Sequence, residues 1–198
     1  MDKIRGFELI SDLNNVDKAT KTLILPERKT KSSAGYDVSV IHPLVFEFLK
    51  EGLTLEEAWL SASNISTEGK RFSIVHKPDD KQAILLPTGI KAYMQDDEVL
   101  LMAVRSSKGI KQGIRQANPP SIIDADYYNN IDNEGHIFFA VSNASIVFDQ
   151  PIMPIAQGMF AKYLIVDNDN VITERMGGIG STDCPVLSNA FYCYTGKI

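Results

Sequence analysis

Cysteine is scarce in this chain. Among its 198 residues the two cysteines are Cys184 and Cys193, and both lie close to the C-terminus. Two cysteines at one end do not make a disulfide framework, and they lack the second ligand pair of a structural zinc site. The sequence therefore argues against a disulfide-stabilised miniature fold or a zinc module, and we expect both thiols to be reduced.

Positive charge and long apolar runs are also lacking. The formal net charge is −5, whereas proteins that bind nucleic acid through its phosphates carry clustered lysine and arginine. No apolar run reaches membrane-spanning length, and the N-terminal MDKIRGFELI has no long apolar stretch behind its charges. We therefore expect a cytoplasmic protein that binds neither nucleic acid nor a membrane.

What the sequence does contain is enough apolar residues for one core. Hydrophobic residues make up 44% of the chain, which suits a single domain over residues 1–198. Gly, Pro, Asn or Asp separates segments rich in β-branched and aromatic residues, such as AILLPTGIKAYM, EVLLMAVRSS, GHIFFAVSNASIVF and MPIAQGMFAKYLIV. Because these segments follow one another without intervening helices, the sequence predicts an all-β sandwich or barrel.

One segment, HPLVFEFLKEGLTLEEAWLSASN, breaks this β pattern. Leu44 and Phe48 recur at helical spacing, and Thr54 with Glu57 has the form of a capping box. The sequence thus predicts one or two short helices over residues 43–63, inserted between strands.

Three polar stretches have the chemistry to bind phosphate or a metal-bound water. SSAGYDVSV places Asp37 at the head of a strand, and AVRSSKGIKQG offers a guanidinium and two hydroxyls at residues 105–107. ERMGGIGSTD repeats that chemistry with Arg175, a glycine-rich stretch, Ser181 and Thr182. Each stretch on its own is also compatible with an ordinary turn or strand end.

The order of these stretches resembles that of a known family. AGYD, RSS, IDADY, IAQ and RMGGIGST, which span residues 34–182, are similar to the five ordered motifs of the trimeric dUTP diphosphatases, or dUTPases. The longer IDADYYNNIDNEGHI is similar to the version found in Gram-positive bacteria and their phages. The resemblance implies a jelly-roll-like distorted β-barrel with a short helical insertion, working as a homotrimer with active sites shared between chains.

The resemblance also implies a reaction, the hydrolysis of dUTP to dUMP and pyrophosphate by attack of water on the α-phosphorus. Such an activity limits uracil incorporation into DNA and supplies dUMP for thymidylate synthesis. By the same resemblance Asp124 would activate the water, and Tyr127 would pack under the deoxyribose. A carboxylate is a competent base for a positioned water, and a ring against C2′ makes an added hydroxyl costly.

The other matched positions would bind the rest of the nucleotide. Asn118 would help to recognise uracil, and Arg175 would reach the γ-phosphate from the C-terminal arm of a neighbouring chain, residues 174–198 here. Magnesium would be held mainly by the phosphates and by waters, one of which would contact Asp37. The further substrate-binding positions implied are Arg105, Ser106, Ser107, Gln157, Ile179, Ser181 and Thr182.

Two alternatives remain open from the sequence. The related dCTP deaminases need a glutamate three residues before the asparagine that closes the third-motif strand. Counting back from Asn143 gives Ala140, and the nearby Glu134 is interpreted as part of a solvated turn. The second alternative is a weakly active dUTPase-like protein that acts through an unidentified protein partner, with the inserted helices as its interaction face.

Overall fold

Short strands account for most of the regular structure in the residues that the computed structural model describes, which are 3–65, 72–75, 83–142, 145–173, 175 and 177. The strands within these ranges are β1 (Gly6–Leu9), β2 (Tyr36–Ile41), β3 (Phe72–Val75), β4 (Ile84–Pro87), β5 (Ile90–Tyr93), β6 (Glu98–Val104), β7 (Arg115–Gln116), β8 (Ser121–Asp124), β9 (Phe138–Ser142), β10 (Ser145–Phe148) and β11 (Ile152–Lys162). The helices are α1 (Lys18–Ile24), α2 (Pro43–Lys50), α3 (Leu55–Ile65) and α4 (Ser106–Gln112).

The strands pair in an antiparallel manner into sheets of two to four strands. The largest sheet has the order β2-β11-β6-β8, and a second sheet has the order β4-β9-β7. Two further pairs are β1 with β5 and β3 with β10. Neighbours in the four-stranded sheet are far apart in sequence, so the chain crosses between sheets as it does in a jelly roll.

The core lies between the four-stranded and three-stranded sheets. Alternate residues of the first sheet and of the second belong to one buried apolar cluster, which includes Val38, Val40, Leu100, Met102, Leu86, Phe139 and Val141. This alternation is what a sheet with one buried face requires. The all-β, jelly-roll-like prediction is confirmed, with separate sheets rather than one closed barrel among the strands described.

The opposite face of the four-stranded sheet carries apolar side chains toward solvent. Leu101 on β6 is directly opposite Ile122 on β8 and Met159 on β11. Ile122 is 61% exposed and Met159 is 42% exposed. These three residues are called the outer apolar row below.

Residues 43–63, predicted to be helical, lie in α2 and α3. The capping box at the start of α3 is confirmed. The Thr54 backbone N–H donates to Glu57 Oε2 at 2.9 Å, and the Glu57 N–H donates to Thr54 Oγ1 at 3.3 Å. This reciprocal pairing satisfies two N–H groups that a helix start leaves without partners.

The short helices α1 and α4 were not predicted from the sequence. α1 starts at Asp17, whose Oδ1 accepts from the N–H groups of Ala19 and Thr20 at 2.7 and 3.0 Å. Both helices have seven residues, which is too short for apolar periodicity to stand out. No helix in the described part of the chain is long and apolar enough to cross a membrane.

Two buried histidines make the stability of this fold sensitive to acid. His136 is 5% exposed and lies between the rings of Phe46 and Phe138, and His42 is 2% exposed. Burial lowers the pKa of His136 to about 3 and that of His42 to about 4. Both rings are therefore neutral in the folded protein at any pH above about 5.

We expect the free energy of unfolding to fall as the pH is lowered from 7 to 5. A histidine in the unfolded chain takes up a proton near pH 6.5, whereas His42 and His136 do not while folded, so acid favours the unfolded chain. Below about pH 6.5, each histidine lowers the free energy of unfolding by up to about 1.4 kcal/mol per pH unit. Urea unfolding at fixed protein concentration measures this slope. His42→Phe should make it shallower, and an unchanged slope in that variant would contradict the assignment.

Candidate active site

Asp124 is the last residue of β8 and lies at the end of the four-stranded sheet. It is opposite Val99, the second residue of β6, and its side chain is 49% exposed. A 3-10 turn over Ala125–Tyr127 follows at once. The strand thus delivers an accessible carboxylate, and the turn brings the Tyr127 ring next to it.

Tyr127 is buried and its hydroxyl has two partners. The hydroxyl donates to the backbone oxygen of His136 at 3.1 Å and accepts from Asn133 Nδ2 at 2.8 Å. Burial raises the pKa of the phenol, so the hydroxyl stays protonated at neutral pH. The ring is thus fixed at its far end by these two partners.

Arg175 joins these residues within its own chain. Its Nη2 lies 2.7 Å from Asp124 Oδ2, its Nε lies 3.0 Å from Asp126 Oδ1, and its guanidinium carbon lies 5.6 Å from the centre of the Tyr127 ring. Two carboxylates and an aromatic face are a favourable environment for a guanidinium. These four residues are called the Asp124 cluster below.

Local charge accounts for this position of Arg175, because Asp124 and Asp126 present two carboxylates to one cation. Its place at a γ-phosphate in a neighbouring chain's site stays a prediction. Sequence reasoning did not identify Asp126 as a site residue. Its place two residues after Asp124 was visible, but the contact joins residues about fifty positions apart in the chain.

Asn118 lies in the exposed turn that joins β7 to β8. Its Oδ1 accepts from Ser121 Oγ at 3.2 Å, and its backbone oxygen accepts from Gln116 Nε2 at 3.3 Å. The peptide bond between Pro119 and Pro120 in the same turn is cis. The turn therefore holds Asn118 at the point where the chain passes from the three-stranded sheet to the four-stranded sheet.

A second group of predicted site residues lies beyond the other end of β6. Arg105 Nε is 3.1 Å from Asp37 Oδ1, and Arg105 Nη1 donates to the backbone oxygen of Pro154 at 3.2 Å. Gln157 on β11 is directly opposite Asp37 on β2. Neighbouring strands of one sheet thus bring together residues from three separate motifs.

Ser106 and Ser107 complete this second group, because they are the first two residues of α4 and both are exposed. Backbone N–H groups at the start of a helix have no acceptor within the helix. Two hydroxyls and two N–H groups therefore follow directly after Arg105 at the end of β6. Asp37, Arg105, Ser106, Ser107 and Gln157 are called the Arg105 cluster below.

The two oxygens of the Asp37 carboxylate differ in their partners. Oδ1 pairs with Arg105, whereas Oδ2 is buried and has no hydrogen-bond partner among the described residues. A buried carboxylate oxygen without a partner is costly, so its environment suits a donor such as a bound water. Among the same residues, no group of three or more His, Cys, Asp or Glu is arranged to hold a metal ion.

The two clusters are far apart within one chain. Asp124 is opposite Val99, whereas Arg105 follows Val104 at the other end of the same strand. Six residues of strand span roughly 20 Å at about 3.3 Å per residue. One chain by itself therefore does not bring the Asp124 carboxylate to the Arg105 guanidinium.

Glu134 corrects one detail of the sequence interpretation. It is not part of a merely solvated turn, because its Oε1 pairs with the buried Lys91 at 2.5 Å and its Oε2 accepts from the Ser11 N–H at 2.9 Å. Ala140, at the position where a deaminase needs glutamate, lies on β9 opposite Leu85. Glu134 thus forms a structural ion pair in the loop that follows Tyr127.

The remaining predicted arm residues, Ile179, Ser181 and Thr182, lie outside the described residues. Of the proposed arm over 174–198, the structure describes residues 175 and 177.

Comparisons with known proteins match the chain over most of its length. No protein-family model matches it. It is 34% identical over 187 residues, covering 91% of this chain and 98% of the relative, to the deoxyuridine 5'-triphosphate nucleotidohydrolase of Lactococcus lactis. The enzyme of the same name from Rickettsia felis is 36% identical over 103 residues, covering 50% of this chain and 67% of that relative. The crystal structure of dUTPase from Streptococcus mutans matches with a TM-score of 0.57 and 33% identity, over 82% of this chain and 98% of that one.

Proposed function

The chain belongs to the dUTP nucleotidohydrolase (dUTPase) family, and from this premise we propose how its own residues carry out the reaction. The protein hydrolyses dUTP to dUMP, with pyrophosphate as the other product. The relatives from Lactococcus lactis and Streptococcus mutans each match over 98% of their own length, which supports a dUTPase of the Gram-positive or phage type. As a consumer of nucleoside triphosphates, it is proposed to act in the cytoplasm.

The observation that carries the mechanism is the accessible Asp124 carboxylate at the end of β8, which the fixed side chain of Tyr127 follows three residues later. In our proposal Asp124 accepts a proton from the water that attacks the α-phosphorus, so the carboxylate must face the solvent that supplies the water. Its half-exposed position at the end of β8 meets that requirement. A positioned general base of this kind typically contributes about 10²–10⁴-fold to the rate.

Tyr127 is proposed to select the sugar. Its hydroxyl is occupied by two hydrogen bonds, and the Arg175 guanidinium lies over its ring. When Arg175 moves to the phosphates, the face of the ring becomes the part available to a pentose. A rigid ring against C2′ leaves the 2′-hydroxyl of a ribonucleotide without space or water. Asn118, in the turn that precedes β8, is proposed to recognise the base.

The Arg105 cluster is proposed to bind the phosphates. A guanidinium, two hydroxyls and the N–H groups at the start of α4 are suitable donors for phosphate oxygens. Gln157 is opposite Asp37 in the sheet and can add a side-chain amide. Arg175 is proposed to leave Asp124 and join the phosphates when nucleotide binds, because a triphosphate offers it more negative charge than two carboxylates.

Magnesium is proposed as the cofactor, and the donor set fits it in one specific way. The unpartnered Oδ2 of Asp37 can accept a hydrogen bond from a metal-bound water. A hard cation that keeps most of its waters and uses the phosphates as its other ligands needs no dense group of protein carboxylates. Asp37 would hold a water of the hydrated ion, Arg105 would bind the phosphates beside it, and the ion would supply charge neutralisation on the phosphates.

We propose that the protein is a homotrimer whose active sites are shared between chains. The distance along β6 supports this proposal, because the base and the phosphate cluster of one chain cannot serve the same nucleotide. The outer apolar row supports it as well, since exposed apolar side chains on a sheet face are typical of a subunit interface. An interface on that face would place residues of one chain near those of the next.

A product assay tests the proposed activity. Incubation with dUTP should release dUMP and pyrophosphate in equal amounts, and kcat/KM for UTP should be lower by about 10²-fold or more. Incubation with dCTP should release no ammonia, because Ala140 stands where a deaminase needs glutamate. Release of orthophosphate from dUTP, or equal kcat/KM for UTP and dUTP, would contradict the proposal.

A further inference from the structure

The segment after Tyr127 turns back on itself and packs beneath that residue. The Asn129 N–H donates to the backbone oxygen of Glu134 at 3.2 Å, and the Glu134 N–H donates to that of Asn130 at 2.9 Å. Gly135 has a φ of +78°, and a side chain there would come within 2.7 Å of the Tyr127 backbone oxygen. The loop therefore lies as close to Tyr127 as its backbone permits.

Asn133 is the residue of this loop that touches the Tyr127 side chain. Its Nδ2 donates to the Tyr127 hydroxyl at 2.8 Å and lies 3.4 Å from the backbone oxygen of His136. The hydroxyl in turn donates to that same oxygen at 3.1 Å. The tip of the ring is thus held between a side-chain amide and a backbone carbonyl.

The orientation of the Asn133 amide follows from its other partners. Its Oδ1 faces the Gly135 N–H at 3.1 Å and Asn130 Nδ2 at 2.8 Å. A backbone N–H can only donate, so the oxygen of the amide must face Gly135 and the NH₂ group must face Tyr127. The Tyr127 hydroxyl then has one direction left in which to donate, toward His136.

Asn130 in turn fixes Asn133. It is 8% exposed, its Nδ2 also donates to the Tyr127 backbone oxygen at 2.9 Å, and its Oδ1 accepts from the Asn133 N–H at 3.2 Å. Both polar atoms of the Asn133 side-chain amide therefore have hydrogen-bond partners, and these partners oppose rotation of the amide. A network satisfied in this way is rigid, and that rigidity passes to the ring that it holds.

We propose that Asn133 is a positioning residue for sugar selection. Asn133 holds the Tyr127 hydroxyl and so keeps the ring close enough to C2′ to exclude a ribose 2′-hydroxyl. This inference rests on the proposed placement of Tyr127 under the deoxyribose. A ring released at its tip can tilt or retreat into the loop, and a small retreat opens the space that a single oxygen atom needs.

A double-mutant cycle measured on two substrates tests the proposal. The ratio of kcat/KM for dUTP to that for UTP is determined for the wild type, Asn133→Ala, Tyr127→Phe and the double variant. Each single substitution should lower the ratio about three- to tenfold, the range that corresponds to one lost hydrogen bond. The double variant should fall no further than Tyr127→Phe alone, because the hydroxyl through which Asn133 acts is already gone.

The control is Asn129→Gly in the same loop. Asn129 has a φ of +56°, which glycine adopts readily, and its Oδ1 contacts Lys91 rather than Tyr127. This variant should keep the wild-type ratio. A purely structural role for the loop would change both substrates together and leave the ratio unmoved.

The outcomes separate this proposal from the one on which it rests. If Tyr127→Ala leaves the ratio unchanged, the placement of Tyr127 under the sugar is wrong. If Tyr127→Ala lowers the ratio but Asn133→Ala does not, or if Asn133→Ala lowers it equally in the Tyr127→Phe background, the role of Asn133 alone is overturned. Should Asn133→Ala fail to fold, Tyr127→Phe still decides, because full discrimination without the hydroxyl would overturn the proposal.

Discussion

Replacement of Asp124 by asparagine is expected to lower kcat for dUTP about 10²–10⁴-fold, the contribution of a positioned general base. Asparagine has nearly the same shape as aspartate but cannot take a proton from water. Affinity for dUTP should stay within a few-fold of the wild type, since the proposed contacts to base, sugar and phosphates are made by other residues. Rapid-mixing measurements of a single turnover, together with nucleotide binding, measure the two effects separately.

Asp126→Asn is the matched control for this variant. Asp126 pairs with the same guanidinium as Asp124, through Arg175 Nε at 3.0 Å, so both substitutions remove one carboxylate from Arg175. Asp126 is assigned no proton transfer, and its variant should keep kcat within a few-fold of the wild type. Near wild-type turnover in Asp124→Asn, or an equal loss in both variants, would show that Asp124 is not the base.

Mixing two inactive variants is expected to restore dUTPase activity. Asp124→Asn removes the proposed base, and Arg105→Gln removes the main cation of the phosphate cluster at the opposite end of β6. If a site takes its Asp124 from one chain and its Arg105 from another, randomly mixed trimers of equal composition contain about a quarter of their sites intact. The variants are unfolded together, refolded and assayed for dUMP.

The same mixing with Arg105→Gln and Asp37→Ala provides the control. Arg105 and Asp37 form an ion pair within one cluster of one chain, so no exchange of chains can rebuild that cluster. This mixture should stay as inactive as its parents. If Asp124→Asn and Arg105→Gln also fail to complement, each site is built within a single chain and the shared-site proposal is wrong.

The strands were predictable because their local sequence and their environment agree. In β6, which reads EVLLMAV, a short run of apolar residues follows a turn, and such a run is typical of a buried strand. The helix α4 was not predictable, because it has seven residues, contains Gly109 and follows a strand without a side-chain cap. Its start depends on where the four-stranded sheet ends, which is a tertiary property.

The positions of the site residues were predictable, but their partners were not. The sequence motifs identify Asp124, Tyr127 and Arg105, because each residue has a fixed position relative to the end of a strand. The contacts of Arg175 with Asp124 and of Asn133 with Tyr127 depend on how the arm and the loop return in space. Polar pairing of that kind leaves no periodic signal in a single sequence.

In the proposed trimer, the distance between the two clusters along β6 would also make the specific activity depend on protein concentration. If catalytic groups meet only between chains, dilution below the assembly constant removes sites as well as contacts, and activity per milligram falls with concentration. A saturating nucleotide that bridges two chains would hold them together and restore the lost activity. The organism would then adjust dUTP consumption through synthesis of the chain more steeply than in proportion to its copy number.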